Sequence, residues 1–240
     1  MTLSEGTRLA VLIDADNATS SVLKELLEEV ARFGTASVRR AYGDWTTARL
    51  NGWKEHLHRH AIQPVQQFAF TTGKNATDAA PIIDAMDLLH LGNVDGFCLV
   101  SSDSDFTRLA TRLREAGKVV YGLGERKTPE AFRAACNRFI FFEVLKHPAT
   151  LEDGNPPAVG ATNLREELTQ AIAAMSRDDG WSTLSAVGSQ IAKNNPSFDA
   201  RLYGFAKLGE LVRQQPYLEV KDSANGSGAV HPYVRIRQDV

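Results

Sequence analysis

Two apolar runs without polar interruption, Leu9-Ala10-Val11-Leu12-Ile13 and Phe97-Cys98-Leu99-Val100, set the frame of the chain. Runs of this length without a period of two read as strands covered on both faces, as in parallel sheets. Both end abruptly in small polar residues and acids: Asp14-Ala15-Asp16-Asn17 after the first, Ser101-Ser102-Asp103-Ser104-Asp105 after the second. Between and beyond them the pattern alternates. Val22, Leu23, Leu26, Leu27 and Val30 recur at helical spacing behind a Thr19 or Ser20 cap, and Gly34 stops that helix. Ala36 to Tyr42 alternates like a strand and runs into Gly43-Asp44-Trp45. Leu50, Trp53 and Leu57 mark a helix over 46–60, and Ile62 to Phe70 is extended.

The polar loop Thr71 to Asn75 then leads to a helix capped by Thr77, with Pro81 in its tolerant first turn and Ile82, Ile83, Met86 and Leu89 as its expected core stripe. Leu109 and Leu113 belong to a helix after Phe106, Val119-Val120-Tyr121 to a strand, and Thr128-Pro129-Glu130 to a helix start. Phe139 to Val144 reads as a last apolar strand. Strands alternating with helices at this spacing predict an α/β fold, a doubly wound parallel sheet.

Past Lys146 the pattern stops. Pro148, Gly154, Pro156, Pro157 and Gly160 mark a linker over 147–162, which separates a first domain (1–146) from a second (163–240). The second holds a helical stripe at Leu164, Leu168, Ile172 and Met175. A second helix follows Trp181-Ser182-Thr183-Leu184, and a third is expected over 202–214. Tyr217 to Val220 and Tyr233 to Ile236 then pair as a hairpin, the outline of a small winged helix-turn-helix.

The 240 residues carry a formal charge of -2, so the molecule as a whole is no electrostatic sponge for nucleic acid and any basic surface is local. Two cysteines, Cys98 in an apolar run and Cys136 in a helical stretch, suggest no disulfide framework and point to a reducing, cytoplasmic setting. Neither a signal peptide nor an apolar run long enough to span a membrane is seen.

If the sheet is parallel, Asp14, Asp44 and Asp103 end strands on one rim, where Asp16, Asp105 and Asp78 can join them. Carboxylates packed this closely repel by about 1–4 kcal/mol per pair. A divalent cation relieves that repulsion, and ligands that are all oxygen favour Mg²⁺ or Mn²⁺. Such an ion suits phosphodiester hydrolysis. Each acid also has an ordinary use: Asp78 at a helix N-terminus, Asp44 in a turn, Asp103 and Asp105 as caps. Lys74 and Asn75 would suit phosphate contact or simple solvation. Asn17 reads as a cap or as a partner of metal-bound water. His56, His58 and His60 look like metal ligands, but only His56 and His60 share a helical face, and a solvated surface is the simpler reading. Asp14-Ala15-Asp16 also bears a superficial likeness to the nucleophile and general acid of haloacid-dehalogenase phosphatases.

Four segments, Leu12-Ile13-Asp14-Ala15-Asp16-Asn17, Tyr42-Gly43-Asp44-Trp45, Lys74-Asn75-Ala76-Thr77-Asp78 and Val100-Ser101-Ser102-Asp103-Ser104-Asp105-Phe106, together resemble the NYN domain of the PIN-like ribonucleases. The resemblance implies a Rossmann-like α/β/α sandwich and a ribonuclease dependent on Mg²⁺ or Mn²⁺. It makes Asp14, Asp78 and Asp103 the metal-holding carboxylates, helped by Asp105, Asp44 and Asp16, with Asn17, Lys74, Asn75, Ser101 and Ser102 toward the substrate. Asp84 matches a recurrent acid, yet helical geometry turns it from Asp78's face. Gly180-Trp181-Ser182-Thr183-Leu184, Pro196-Ser197-Phe198-Asp199, Tyr203 to Leu208 and Tyr233-Val234-Arg235-Ile236 resemble the LOTUS, or OST-type, helix-turn-helix domain. That likeness implies RNA or protein partners; by their own chemistry Lys207, Arg213, Lys221, Arg235 and Arg237 make a candidate RNA-facing surface or ordinary surface charge, and Trp181, Phe198 and Phe205 read as core.

The expectation is therefore an endonuclease acting on single-stranded RNA, with Arg39, Arg40, Arg49, Lys74 and Arg108 offsetting the acidic cleft. A non-catalytic RNA-binding or scaffold protein, or a phosphatase, are the alternatives.

Overall fold

The structure, a computed structural model, describes residues 6–68, 79–146, 161–176, 178–224 and 230–237. The chain divides into two compact units, Met1–Lys146 and His147–Val240. In the first, β1 (Arg8–Asp14), α1 (Leu23–Ala31), β2 (Thr35–Gly43), α2 (Trp53–Arg59), β3 (Gln63–Gln66), α3 (Ala79–Leu91), β4 (Gly96–Val100), α4 (Phe106–Glu115), β5 (Val119–Gly124), α5 (Glu130–Ala135), β6 (Arg138–Phe141) and α6 (Phe142–Lys146) follow in order. The strands form one sheet in the order β3-β2-β1-β4-β5-β6, every pair parallel. The order in which strands are added to the sheet reverses between β1 and β4. That makes their C-terminal ends the switch point at which α/β sheets open a crevice.

Burial follows from the runs themselves. Leu9 to Ile13 and Phe97 to Val100 have no exposed surface. On one face Leu9, Val11, Ile13 and Ala15 pack with Leu23, Leu26 and Val30 of α1, Trp53 and Leu57 of α2, and Phe142 and Leu145 of α6. Strand alternation sends Ala10, Leu12 and Asp14 to the opposite face. There Phe106, Phe132, Phe139 and Phe141 form a chain of ring contacts at 5.3–6.1 Å.

Gly122 is a close approach in this layer. A Cβ there would lie 2.4 Å from Phe139 Cδ2 and 2.7 Å from Cys136 Sγ. Gly122→Ala is therefore expected to lower stability by about 1–3 kcal/mol, read as a shifted urea midpoint with unchanged slope.

Three elements depart from the sequence reading. The apolar run 139–144 is divided, β6 ending at Phe141 and α6 starting at Phe142, because an aperiodic apolar run does not mark where strand gives way to helix. The segment 46–60 is a 3-10 turn at Ala48–Leu50 and then α2, which begins only at Trp53. On α3 the buried residues are Pro81, Ala85 and Leu88, while Ile83 is 59% exposed. The helix is turned so that Asp84, beside Ala85 on the inward stripe, meets β2. Of the extended stretch expected over 62–70, residues 69 and 70 lie outside the described residues, as does the Thr77 cap.

In the second unit α7 (Ala161–Met175), β7 (Ser182–Thr183), α8 (Leu184–Asn194), a 3-10 turn at Ala200–Tyr203, α9 (Leu208–Arg213), β8 (Leu218–Ala224) and β9 (Val230–Ile236) form helices against a small antiparallel sheet, β7-β9-β8. The Thr183 hydroxyl accepts the Ala186 N–H and caps α8. Leu168, Ala171, Ile172, Val187, Ile191, Leu211, Val212 and Val234 make the core. The expected continuous third helix is broken at Gly204, whose φ of +83° no helix accepts. Of the segment 147–162 read as a linker, only Ala161 and Thr162 are among the described residues, as the start of α7.

Candidate active site

Register places Asp14 beside β4. Ile13 pairs with Val100, so the next residues, Asp14 and Ser101, stand side by side at the switch point. Their side chains meet there. Asp14 is 6% exposed, and four donors converge on its carboxylate. Oδ1 accepts the backbone N–H groups of Asp16 (3.2 Å) and Asn17 (3.1 Å). Oδ2 accepts the Asn17 side-chain amide and the Ser101 hydroxyl, both at 2.8 Å. Ser101 Oγ also accepts the Asp103 N–H at 3.1 Å, and Asp103 Oδ1 accepts the Asp105 N–H at 3.0 Å. One hydroxyl thus joins the ends of β1 and β4 and both acidic motifs.

The electrostatics of Asp14 are distinctive. Burial raises its pKa above the ordinary carboxylate value, the bonds from Asn17 and Ser101 work against that rise, and Asp16 adds to it. Its donors among the described residues are all neutral. The neighbouring acids are engaged otherwise. Asp16 pairs with Arg49, and Asp84 with Arg40 at 2.7 Å. Among the described residues this buried carboxylate has no counter-cation and stands beside hydroxyl and carboxylate oxygens, away from thiol or imidazole, which fits a hard divalent cation. Among the described residues no three His, Cys, Asp or Glu gather closely enough to hold a metal, so such a site needs oxygens beyond Asp14 and Asp103.

The remaining expected site residues fall into distinct groups. Asp78, Lys74 and Asn75 lie outside the described residues. Asp105 is exposed at the start of α4. Asp44, at the end of β2, accepts from Thr46 and from Gln66 Nε2 (2.9 Å), which lower its pKa, and so faces the β3 side. Ser101 has no exposed surface, and its hydroxyl donates to Asp14. Ser102 Oγ accepts the Glu125 N–H at 2.9 Å and fastens the loop after β4 to the loop after β5. Asn17 is better described as a clamp on Asp14 than as a helix cap. Asp16, the general acid of the phosphatase reading, pairs with Arg49. His56 and His60 do share a face, with rings parallel within 5° and 6.3 Å apart, but burial, His56 and the Arg59 and Arg39 guanidiniums lower the His60 pKa, and those cations would repel a metal ion.

The expected basic residues are largely occupied. Arg39 donates to the His60 carbonyl at 3.0 Å, and Arg108 is exposed on α4. In the second unit Arg213 pairs with Asp222 and Arg235 with Glu219, both at 2.7 Å. Arg237 donates to the Leu218 carbonyl, and Lys207 is exposed before α9. Lys221 Nζ and the Arg235 guanidinium lie 3.9 and 4.6 Å from the Trp181 ring centroid. Trp181 is buried, while Phe198 and Phe205 are partly buried against the core.

A six-stranded, doubly wound parallel sheet flanked by helices is the PIN-like α/β fold. The NYN domain model matches residues 8–145, more than half of the chain, and the chain belongs to that family. The OST-HTH/LOTUS domain model matches residues 162–230. No curated protein matches the chain. Among solved structures, a protein of unknown function from Vibrio parahaemolyticus is 18% identical, covers 59% of this chain and 96% of its own, and has a TM-score of 0.48. A solution structure from Chromobacterium violaceum is 43% identical over 36% of this chain and 91% of its own, with a TM-score of 0.29. An uncharacterized protein from Nitrosomonas europaea is 27% identical over 37% of this chain and 90% of its own, with a TM-score of 0.30. No described helix is long and apolar enough to cross a membrane.

Proposed function

We propose that this chain is a metal-dependent endoribonuclease acting on single-stranded RNA, with a nuclease domain over 1–146, a linker over 147–162 and an RNA-binding or targeting module over 163–240. The observation that supports this most is the buried Asp14 carboxylate, held among the described residues by neutral donors alone and tied through Ser101 to Asp103. Asp14 and Asp103 would hold Mg²⁺ or Mn²⁺, with Asp78 and Asp105 as the further carboxylates. The ion would supply an activated water and charge neutralisation at the phosphate.

The chain's own residues have definite tasks in this reading. Asn17 and Ser101 fix the Asp14 carboxylate, and the Asp103–Asp105 turn presents its acids at the rim. Asp16 and Asp44, bound to Arg49 and to Thr46 and Gln66, stand outside the central pair. A flexible strand can bend a phosphate into the recessed crevice, as a duplex cannot, which favours single-stranded substrate. In the second unit exposed Lys221, held over the buried Trp181 ring, is the cation offered to RNA or to a protein partner.

End-labelled single-stranded RNA incubated with Mn²⁺ or Mg²⁺ should be cut internally. EDTA should stop the reaction and excess Mn²⁺ restore it, while p-nitrophenyl phosphate stays intact. Cutting that persists undiminished in EDTA would reject the metal, and release of p-nitrophenol would favour a phosphatase.

A further inference from the structure

We propose that Asp84 is a positioning residue that locks α3 to β2 beside Asp14, and that the oxygen acceptor it presents matters there more than its charge. The proposal of a metal-dependent nuclease is its background, but the clamp itself is read from contacts that do not involve Asp14's ligands.

Asp84 Oδ2 accepts two bonds at once, from Arg40 Nη1 at 2.7 Å and from the Tyr42 hydroxyl at 2.8 Å. Both donors come from β2 and point to one face, being two residues apart on a strand. Tyr42 is the register partner of Asp14, and its carbonyl accepts the Ala15 N–H at 2.8 Å. The same residue therefore holds the end of β1 by its backbone and α3 by its side chain. Tyr42 is 1% exposed, so its hydroxyl has no water to fall back on if Asp84 is lost. Asp84 and Arg40 keep 26% and 28% of their side-chain surface, which makes the pair partly buried rather than a surface bridge.

The apolar pattern alone would turn this helix differently. Ile82, Ile83, Met86 and Leu89 would make the core stripe, yet Pro81, Ala85 and Leu88 are the buried residues and Ile83 is left in solvent. Asp84 belongs to the stripe that is buried. A helix that leaves an isoleucine exposed while bringing a carboxylate to an arginine and a tyrosine is oriented by that polar contact. The contact with Arg40 and Tyr42 thus fixes the setting of α3, which begins at Ala79, against β2.

A ligand and a clamp respond oppositely to substitution. Asparagine keeps an oxygen that can accept from Arg40 and Tyr42 but cannot supply a metal with charge; alanine keeps neither. Hydrogen exchange of the α3 amides from Ile83 onward reads the clamp without any cleavage. Asp84→Ala and Tyr42→Phe should speed that exchange by about tenfold, and Asp84→Asn should leave it within about threefold. In the cleavage assay Asp84→Ala should lower kcat by about tenfold with KM for RNA unchanged, and Asp84→Asn should keep most of the activity. Wild-type exchange in Asp84→Ala overturns the clamp. So does an Asp84→Asn protein as inactive as Asp14→Asn, which would make Asp84 a ligand. If the wild type cuts no RNA while the exchange pattern holds, the clamp stands and the nuclease proposal falls.

Discussion

Asp14→Asn is expected to lower RNA cleavage by about 10³-fold or more, roughly 4 kcal/mol of transition-state stabilisation, while the protein stays folded. The amide is close in shape to the carboxylate, so β1 and β4 keep their register. What changes is charge, the property a divalent cation requires of its ligand. Stability should change little. Replacing Oδ2 by an N–H₂ group touches two of the four bonds around Asp14; the Ser101 hydroxyl can turn to accept from the new amide, which leaves the Asn17 bond strained at a cost of about 1 kcal/mol. Against that, burial raises the Asp14 pKa, so the ionised form opposes folding at neutral pH and the neutral amide removes that opposition. The sign is that of any carboxylate with a raised folded-state pKa: its contribution to stability is present at low pH and lost as pH rises through the folded value. Circular dichroism and a melting curve beside the cleavage assay separate loss of chemistry from loss of fold.

Phe132→Ala should produce the largest loss of stability, about 3–5 kcal/mol. The ring has no exposed surface and lies between Phe106, 6.1 Å away, and Phe139, 5.8 Å away. Phe106 is the first residue of α4, and Asp105 directly precedes it. A cavity under α4 therefore reaches the acidic turn as well as the core. Urea denaturation should show a lower midpoint for the first unit, with cleavage by the remaining folded protein reduced rather than abolished. An unchanged midpoint would mean that neighbouring rings refill the space.

The contrast between Asp14 and Asp84 shows how far the sequence carries. That Asp14 and Asp103 approach one another was legible, because each follows an uninterrupted apolar run, and the ends of buried parallel strands share a rim. The depth of Ser101 is not legible, because the order of residues gives no measure of burial. A serine after a strand looks available, and only the Ile13–Val100 register shows it turned inward onto Asp14. Asp84 was set aside by an argument from one helix alone. The helix's rotation is decided by Arg40 and Tyr42, which are more than forty residues away in sequence. Polar anchors of this kind compete with apolar periodicity, and periodicity does not register them.

The second unit repeats the lesson on a smaller scale. Leu208, Leu211 and Val212 read correctly as a helix, and the hairpin pairs as expected. The break at Gly204 escaped because a glycine within an apolar-periodic segment is compatible with a continuous helix until its φ is known. The candidate RNA-facing cations were chosen by charge alone. The fold gives Arg213 and Arg235 carboxylate partners and lays Lys221 across Trp181.

Anomalous diffraction from crystals of the full chain soaked in Mn²⁺ tests the central claim most directly. The account predicts a manganese peak within bonding distance of carboxylate oxygens of both Asp14 and Asp103, and no such peak in Asp14→Asn crystals. Manganese bound elsewhere, or a saturated soak with Asp14 still held only by Asn17, Ser101 and backbone amides, would contradict it.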